Sequence, residues 1–418
     1  MPLLLVILDG AADRKSGTSK STPLQSASMP NLSRISSESA KGMMNPIGLG
    51  IAPESDAAVF SILGYDISAY TGRGPLEAFG AGLKVTDNSV AFRCNFATID
   101  DRRNILDRRA GRIETDEAKA LEREIKKINL GMPGVSFSFK STVGHRAACV
   151  FYSSKALSGN VSNADIGYVR RGNISVAQEQ RGRKLPKVAP LDSSAEAKYT
   201  AGIANSFIDL AISRLESSRV NASREKSGMK KANALLLRDA GKGLPLVKSF
   251  SSKTGMESAF IAEMPVEAGI AKVLGMRPIK LKQYADRKRR YAAMARLVLK
   301  NIRKYGFIYV HIKGPDEPGH DGNWELKKQI LEEIDSGFFS KISAINADIC
   351  VTCDHATPCS LKSHSSDPVP VMARIRGQAA DSMGFDEDIG SRGSMGVFNG
   401  IELIKKLLKR REDAGKIN

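Results

Sequence analysis

Three short runs constrain this chain more than anything else in it: LLLVILD (3–9), FIYVHIKGPD (307–316) and DICVTCD (348–354), each almost wholly apolar and each ending in aspartate. A strand that faced water on one side would alternate apolar with polar residues. An unbroken apolar run has to be covered on both faces, as in a parallel sheet between helices. ESAFIAE (257–263) and PVPVMARI (368–375) read as further strands, with a short one at Pro278–Leu281. Helical patterns lie around VEAGIAKVLGM, across the basic run 277–305, and from Glu325 to about Ile345. This alternation predicts an α/β fold, a parallel sheet with helices on both faces. In such sheets ligands collect where strands end at their carboxyl termini, which is where Asp9, Asp316 and Asp354 fall.

The middle of the chain has a different texture. SVAFRCNFATI, VSFSFK and AACVFY alternate, Ser- and Arg-rich loops intervene, and helical patterns appear at 115–128 and 195–217. The apolar strand signature of the first 60 residues resumes only near residue 257. A length of 418 residues also exceeds one ordinary core. The expected organisation is therefore one domain built from residues 1–84 and 247–418, interrupted by a smaller α+β domain at 85–246.

No apolar run approaches the roughly 20 residues that cross a bilayer, so no membrane partner is expected. The start MPLLLVILDGAAD lacks a basic leader and a small-residue cleavage site and reads as a first strand, so a cytoplasmic location is expected. Five cysteines at no framework spacing argue against a disulfide-built domain, and Cys350 and Cys353, inside a strand-like run, read as buried small hydrophobes. The net charge of +18 attracts anions, either small phosphorylated metabolites or nucleic acid. In the basic run, Ala292, Ala295, Val298, Leu299 and Ile302 recur at helical spacing, so its charge reads as a solvated helix face and nucleic acid is the lesser expectation. The oligomeric state is not legible.

Only five histidines are present, and three of them, His320, His355 and His364, fall in two loops that follow buried strands, beside Asp316 and Asp354. With Asp9 and Ser55 of the loop APESDAA, these make seven oxygen and nitrogen ligands, enough for two divalent metal sites. Paired metals clamp a phosphoryl group and activate a hydroxyl. Imidazole mixed with carboxylate suits manganese, zinc or cobalt better than an all-oxygen magnesium cage. Ser55, just ahead of the helical stretch DAAVFSILGY, is the natural nucleophile. His311, inside its strand, reads as a core residue, and His145 lies in the middle segment.

The order of ILDGAAD, PESDAAVFSILGYD, YTGRGPLEAFGAGL, CNFATID, DRRAGRI, HIKGPDEPGHDGN and CDHATPCSLKSHSSDPVPVM resembles the archaeal type of cofactor-independent phosphoglycerate mutase, in the alkaline phosphatase superfamily, over nearly the whole chain. The resemblance implies an alkaline-phosphatase-like sheet domain interrupted by a substrate-binding domain, and a phosphoserine at Ser55. It implies two divalent ions, manganese first and zinc, cobalt or magnesium as alternatives, and no 2,3-bisphosphoglycerate cofactor. Carried over by position, Asp9, Ser55, Asp354 and His355 would hold one ion and Asp316, His320 and His364 the other. Lys253 in SSKTGMESAF resembles the lysine that helps activate the serine. An anionic substrate also calls for guanidinium forks, for which Arg108, Arg109, Arg112, Arg146 and Arg238 are the candidates. Two departures touch the substrate side. NADIGYVRRG keeps Asp165 without the histidine expected beside it, and a basic segment, RPIKLKQYADRKRRY, replaces a glycine-threonine turn. Another phosphotransferase or phosphatase on the same scaffold, such as a phosphopentomutase or small-alcohol kinase, is the alternative.

Overall fold

Burial of the apolar runs is complete in the computed structural model, which describes residues 1–15, 17, 20–177 and 182–417. Its contacts divide into two units. The first comprises Met1–Ala69, Val247–Glu263 and Ile270–Asn418, the second Tyr70–Leu246 with Met264–Gly269. The first unit opens with β1 (Leu3–Leu8) and β2 (Ala40–Asn45). The second contributes β3 (Ser89–Ile99), β4 (Ile105–Asp107), β5 (Val135–Ser141), β6 (Arg146–Ser153), β7 (Tyr168–Arg171), β8 (Ile174–Ala177) and β9 (Ala234–Lys242). The chain then returns to the first with β10 (Ser258–Ile261), β11 (Arg277–Pro278), β12 (Phe307–Ile312), β13 (Asp348–Cys353), β14 (Val369–Arg374) and β15 (Gly396–Asn399).

The first unit holds an eight-stranded sheet of order β11-β10-β12-β1-β13-β14-β2-β15. Its centre is parallel, β12, β1 and β13 lying side by side with every residue buried. The sheet is mixed, however, because β14 runs antiparallel to both β13 and β2. A parallel neighbour needs a crossover of a dozen or more residues, usually helical. Between β13 and β14 the chain forms no helix, so it comes back antiparallel. The strands β2 and β15 escape sequence reading, since AKGMMN and GVFN carry no sustained apolar signal.

Other departures have local causes. The strand expected at Pro278–Leu281 shrinks to Arg277–Pro278, exposed at the sheet edge. The helix expected from Glu325 to Ile345 runs as Trp324–Ile334, widens into a π-type turn at Asp335–Phe339, and resumes briefly at Ser340–Ile342. The basic helix, Arg287–Asn301, is capped by the Asp286 side chain, which accepts from the Arg289 amide at 2.7 Å. It buries Tyr291, Met294, Ala295 and Val298, while Leu299 is 43% exposed. All five cysteines are free and buried.

In the second unit, β4-β3-β6-β5 form one antiparallel sheet, with β9 on the other side of β3, and β7 and β8 pair separately. One face of β3 packs Phe92 and Phe96 into a core with Phe139, Phe151 and Phe207. On the other face lies the helix Arg73–Gly80. A Cβ on Gly74 would meet the Ala91 and Asp239 carbonyls at 2.4 Å, so helix and strands touch through backbone. That packing draws the segment from Tyr70 into the second unit, ahead of the boundary at residue 84 that composition suggests.

Candidate metal and phosphoryl-transfer site

Strand register sets the floor of the site. Leu8 pairs with Ile312 on one side and Cys353 on the other, so Asp9, Lys313 and Asp354 come next in a row at the carboxyl edge. Gly10 then turns the chain at φ 58°. A Cβ there would lie 2.7 Å from both Asp316 Oδ1 and Thr357 Oγ1, so only glycine fits. The amides of Gly10 and His355 donate to Asp354 Oδ1 at 3.0 and 3.1 Å.

Ser55 begins the helix Ser55–Ile62, where backbone amides are left without helical partners. Its Oγ lies 3.1 Å from His355 Nε2 and 3.5 Å from Asp9 Oδ1. His355 Nε2 is 3.6 Å from Asp9 Oδ1 and 3.6 Å from Asp354 Oδ2. Across the site, Asp316 Oδ1 lies 3.5 Å from His320 Nε2 and 3.4 Å from His364 Nε2, and those two nitrogens are 3.1 Å apart. Donors about 2.1 Å from one cation at tetrahedral angles are separated by about 3.4 Å. Both triangles have that size. Donors at this spacing suit divalent ions. Asp316 with His355 and His364, and Asp9 with His311 and Asp354, likewise bring their ligand atoms within 4.8 Å of one another.

The ring nitrogens are presorted. His320 Nδ1 lies 3.1 Å from the Lys362 carbonyl and His364 Nδ1 2.8 Å from the Pro53 carbonyl. A carbonyl only accepts, so each Nδ1 carries a proton and each Nε2 is the nitrogen turned toward the centre, where that of His364 faces Asp316 Oδ1. His355 and His364 stack with ring centroids 3.7 Å apart.

Burial and charge explain the proton affinities. Burial, opposed by Lys313 and reinforced by Asp354 and Asp316, pushes the Asp9 carboxyl up to about 8. Burial also works against the Asp354 and Asp316 carboxylates. Neighbouring histidines outweigh it, holding both well below the usual range. Burial takes His355 down to about 4. His364 is buried too, but its hydrogen bond to Asp316 and the charge of Glu54 raise it to about 10. A buried cluster this acidic needs compensating protons or cations.

Three residues at the centre escape sequence reading. His311 is fully buried, as a core residue would be, yet its Nε2 faces Asp354 Oδ2 at 3.2 Å and holds that carboxylate. Lys313 Nζ lies 3.0 Å from Asp9 Oδ2. Thr357 bridges His355 and Asp316. The available signal was spacing: His311 and Lys313, two apart on a strand, share a face leading to Asp316. Lys253, in contrast, is not brought to Ser55. It meets the Gly64 carbonyl and lies 4.6 Å over the Tyr65 ring. That is the far end of the helix Ser55 begins, roughly 12 Å of helical rise away.

The second unit carries its own charged cluster. Arg93 of β3 and Arg238 of β9 are direct cross-strand partners, 8% and 3% exposed. Like charges placed opposite in a sheet repel. Glu77 answers Arg93 and Arg73 at 3.4 and 3.2 Å. Asp165 takes a two-pronged bond from Arg108 at 2.7 and 2.8 Å, while Arg238 stacks 3.8 Å over Tyr168. Arg238 Nε and Nη1 make no hydrogen bond among the described residues but lie 3.6 Å from Asp239 Oδ2 and 3.8 Å from Asp165 Oδ2. Arg146 is half-buried, and Arg109 and Arg112 are exposed on the turn before the helix Thr115–Ile125. Burial, with Arg146, Arg109, Arg93 and Arg238 around it, drives His145 down to about 3, so its ring is neutral. The cluster gathers several arginines around the buried acids Glu77, Asp165 and Asp239. Arg73 and Arg93 were not among the sequence candidates, though an arginine amid SVAFRCNFATI is an anomaly worth following.

Residues 36–221 match the family described as 2,3-bisphosphoglycerate-independent phosphoglycerate mutase. An Aeropyrum pernix protein of that name is 40% identical over 98% of this chain and 99% of its own. A second, from Methanocaldococcus jannaschii, is 38% identical over 97% and 96%. The chain belongs to the 2,3-bisphosphoglycerate-independent phosphoglycerate mutase family. Among solved structures, the cofactor-independent phosphoglycerate mutase of Thermoplasma acidophilum superposes with TM-score 0.63 at 31% identity, covering 98% of this chain and all of that one. A Pyrococcus horikoshii protein superposes with TM-score 0.76 at 26% identity, over 98% and 97%. Divalent metal ions suit both this mutase family member's donor sets and the residue types in them. Among the described residues, no helix is long and apolar enough to cross a membrane.

Proposed function

We infer that this chain is an isomerase that interconverts 3-phosphoglycerate and 2-phosphoglycerate without a 2,3-bisphosphoglycerate cofactor, through a phosphoserine at Ser55. One divalent ion, with manganese the first choice, would be held by Asp9, Ser55, Asp354 and His355, and a second by Asp316, His320 and His364. Such ions, when bound, neutralise phosphoryl oxygens and lower the pKa of a bound hydroxyl.

The residues of the chain do the rest. Ser55 Oγ forms a bond to phosphorus as the bond from phosphorus to the C3 oxygen breaks. On return, phosphorus bonds to the C2 oxygen and Ser55 is released. Ser55 loses and regains one proton while the two glycerate oxygens exchange one, so no other reactant is consumed. Arg108, Arg109, Arg112, Arg146 and Arg238, joined by Arg73 and Arg93, hold the anionic groups of the glycerate so that it stays through both halves. Retention matters because a phosphoserine open to water would hydrolyse.

The observation that carries this reading is the position of the Ser55 hydroxyl, at a helix start and within 3.1 Å of His355 Nε2 and 3.5 Å of Asp9 Oδ1. The test is to load the protein with manganese, add 3-phosphoglycerate, and follow phosphorus NMR. The 2-phosphoglycerate signal should grow with little inorganic phosphate. Phosphate release without the isomer would make the protein a phosphatase and sink the mutase reading.

A further inference from the structure

The three histidines of the centre do not have equivalent anchors. His320 and His364 give Nδ1 to backbone carbonyls, which only accept, but His355 Nδ1 meets the Thr357 hydroxyl at 2.9 Å. A hydroxyl can donate or accept, so by itself this contact leaves the ring free to choose either tautomer. Asp316 removes the choice. Thr357 Oγ1 lies 2.7 Å from Asp316 Oδ1, an acceptor that also draws His364 Nε2 at 3.4 Å and His320 Nε2 at 3.5 Å. The single hydroxyl proton goes to Asp316, and Oγ1 can only accept from His355 Nδ1–H. That leaves His355 Nε2 bare, and it is this atom that faces Ser55 Oγ at 3.1 Å.

Thr357 is itself braced. Its amide donates to the Ala12 carbonyl at 3.0 Å. Its carbonyl accepts from Lys327 Nζ at 2.8 Å, and the same fully buried ammonium bonds the Ala12 carbonyl at 3.0 Å and Asp13 Oδ2 at 2.9 Å. One lysine thus ties the loops after β1 and β13 to the helix Trp324–Ile334, which follows the Asp316–Asp321 turn. Thr357 is 0% exposed, so water has no access to replace its hydroxyl.

We propose that Thr357 is a positioning residue that fixes the tautomer of His355 from Asp316, and so links the donor set that contains Ser55 to the one that contains Asp316. Its consequence for metal binding rests on the function proposed above, but the tautomer itself does not.

The experiment therefore begins on metal-free protein without substrate. Ring nitrogens of uniformly 15N-labelled protein are observed at pH 8, His355 being assigned with His355→Gln. Only five histidines contribute. Wild type and Thr357→Ser should both show His355 with Nδ1 protonated and Nε2 bare. Thr357→Val, nearly isosteric, should show Nε2–H or a mixture. Thr357→Ala serves if the valine variant does not fold. Manganese titration by calorimetry should then show the set containing His355 weakened about 10- to 100-fold in the valine variant and restored in the serine variant. An unchanged His355 tautomer in whichever of the valine and alanine variants folds would overturn the proposal. A changed tautomer with unchanged metal affinity would keep the positioning role and count against the metal assignment.

Discussion

Lys313 Nζ rests 3.0 Å from Asp9 Oδ2, where neighbouring parallel strands run out of paired residues. The ammonium is one of the cations holding the acidic centre together, and Asp9 stands between it and the proposed nucleophile, its Oδ1 3.5 Å from Ser55 Oγ. Lys253 is at the other end of the Ser55 helix. Lys313→Met is expected to lower kcat by about two orders of magnitude, the usual scale for losing one preorganised charge. Lys253→Met should leave kcat within a few-fold and cost about 1 kcal/mol in urea melts. Steady-state kinetics on both variants decides between the lysines, and the opposite ranking would return the activating role to Lys253.

Removing the Ser55 hydroxyl deletes one small atom group. Ser55→Ala should abolish isomerisation while melting temperature and manganese stoichiometry stay near wild type. Appreciable 2-phosphoglycerate formation by this variant would rule out a phosphoserine.

The metal-free protein should lose stability as pH rises. Asp9, raised to about 8, folds most easily with its proton on, so its contribution is full below the ordinary carboxyl range and is lost as pH climbs through 8. His364, raised to about 10, acts in the same direction, its contribution full below 6.5 and lost toward 10. Between pH 6.5 and 8.5 the melting temperature of chelator-treated protein should fall by several degrees. With manganese bound, the cation takes over from these protons and the slope should flatten. A flat profile in both forms would contradict this charge balance.

The facing pair of Arg93 and Arg238 implies a trade between stability and binding. Arg93→Met relieves cross-strand repulsion, so its melting temperature should hold or rise, while KM for 3-phosphoglycerate rises about 10- to 100-fold. Glu77→Gln leaves two arginines without their shared buried partner and should cost about 3–5 kcal/mol. Thermal melts and initial rates on the two variants test both signs.

Sequence reading found Asp9, Asp316, Asp354 and the histidines of the following loops because buried strands advertise themselves as apolar runs, and an acid or histidine at their ends is conspicuous. It also found β3, β5 and β6, whose alternation is strong, and the helices Thr115–Ile125 and Ala195–Glu216, whose periodicity is sustained. It missed β2, and it missed the antiparallel return of β14, because direction is a property of connections and leaves no mark on composition. Lys313, His311, Thr357 and Arg93 were invisible as site residues for a related reason. Each matters through what stands opposite it.

What the sequence determined by itself was an inventory: which segments must be buried, where their carboxyl ends lie, and which side chains of metal-binding and nucleophilic chemistry are delivered there. Local patterns of polarity carry that much, since they follow from transfer of side chains out of water. Tertiary structure alone decided the pairing. Strand register set Lys313 against Asp9 and Arg93 against Arg238, and loop closure put one hydroxyl between His355 and Asp316. Distances of 3 Å between residues hundreds of positions apart are fixed by packing, and no local rule of sequence encodes them.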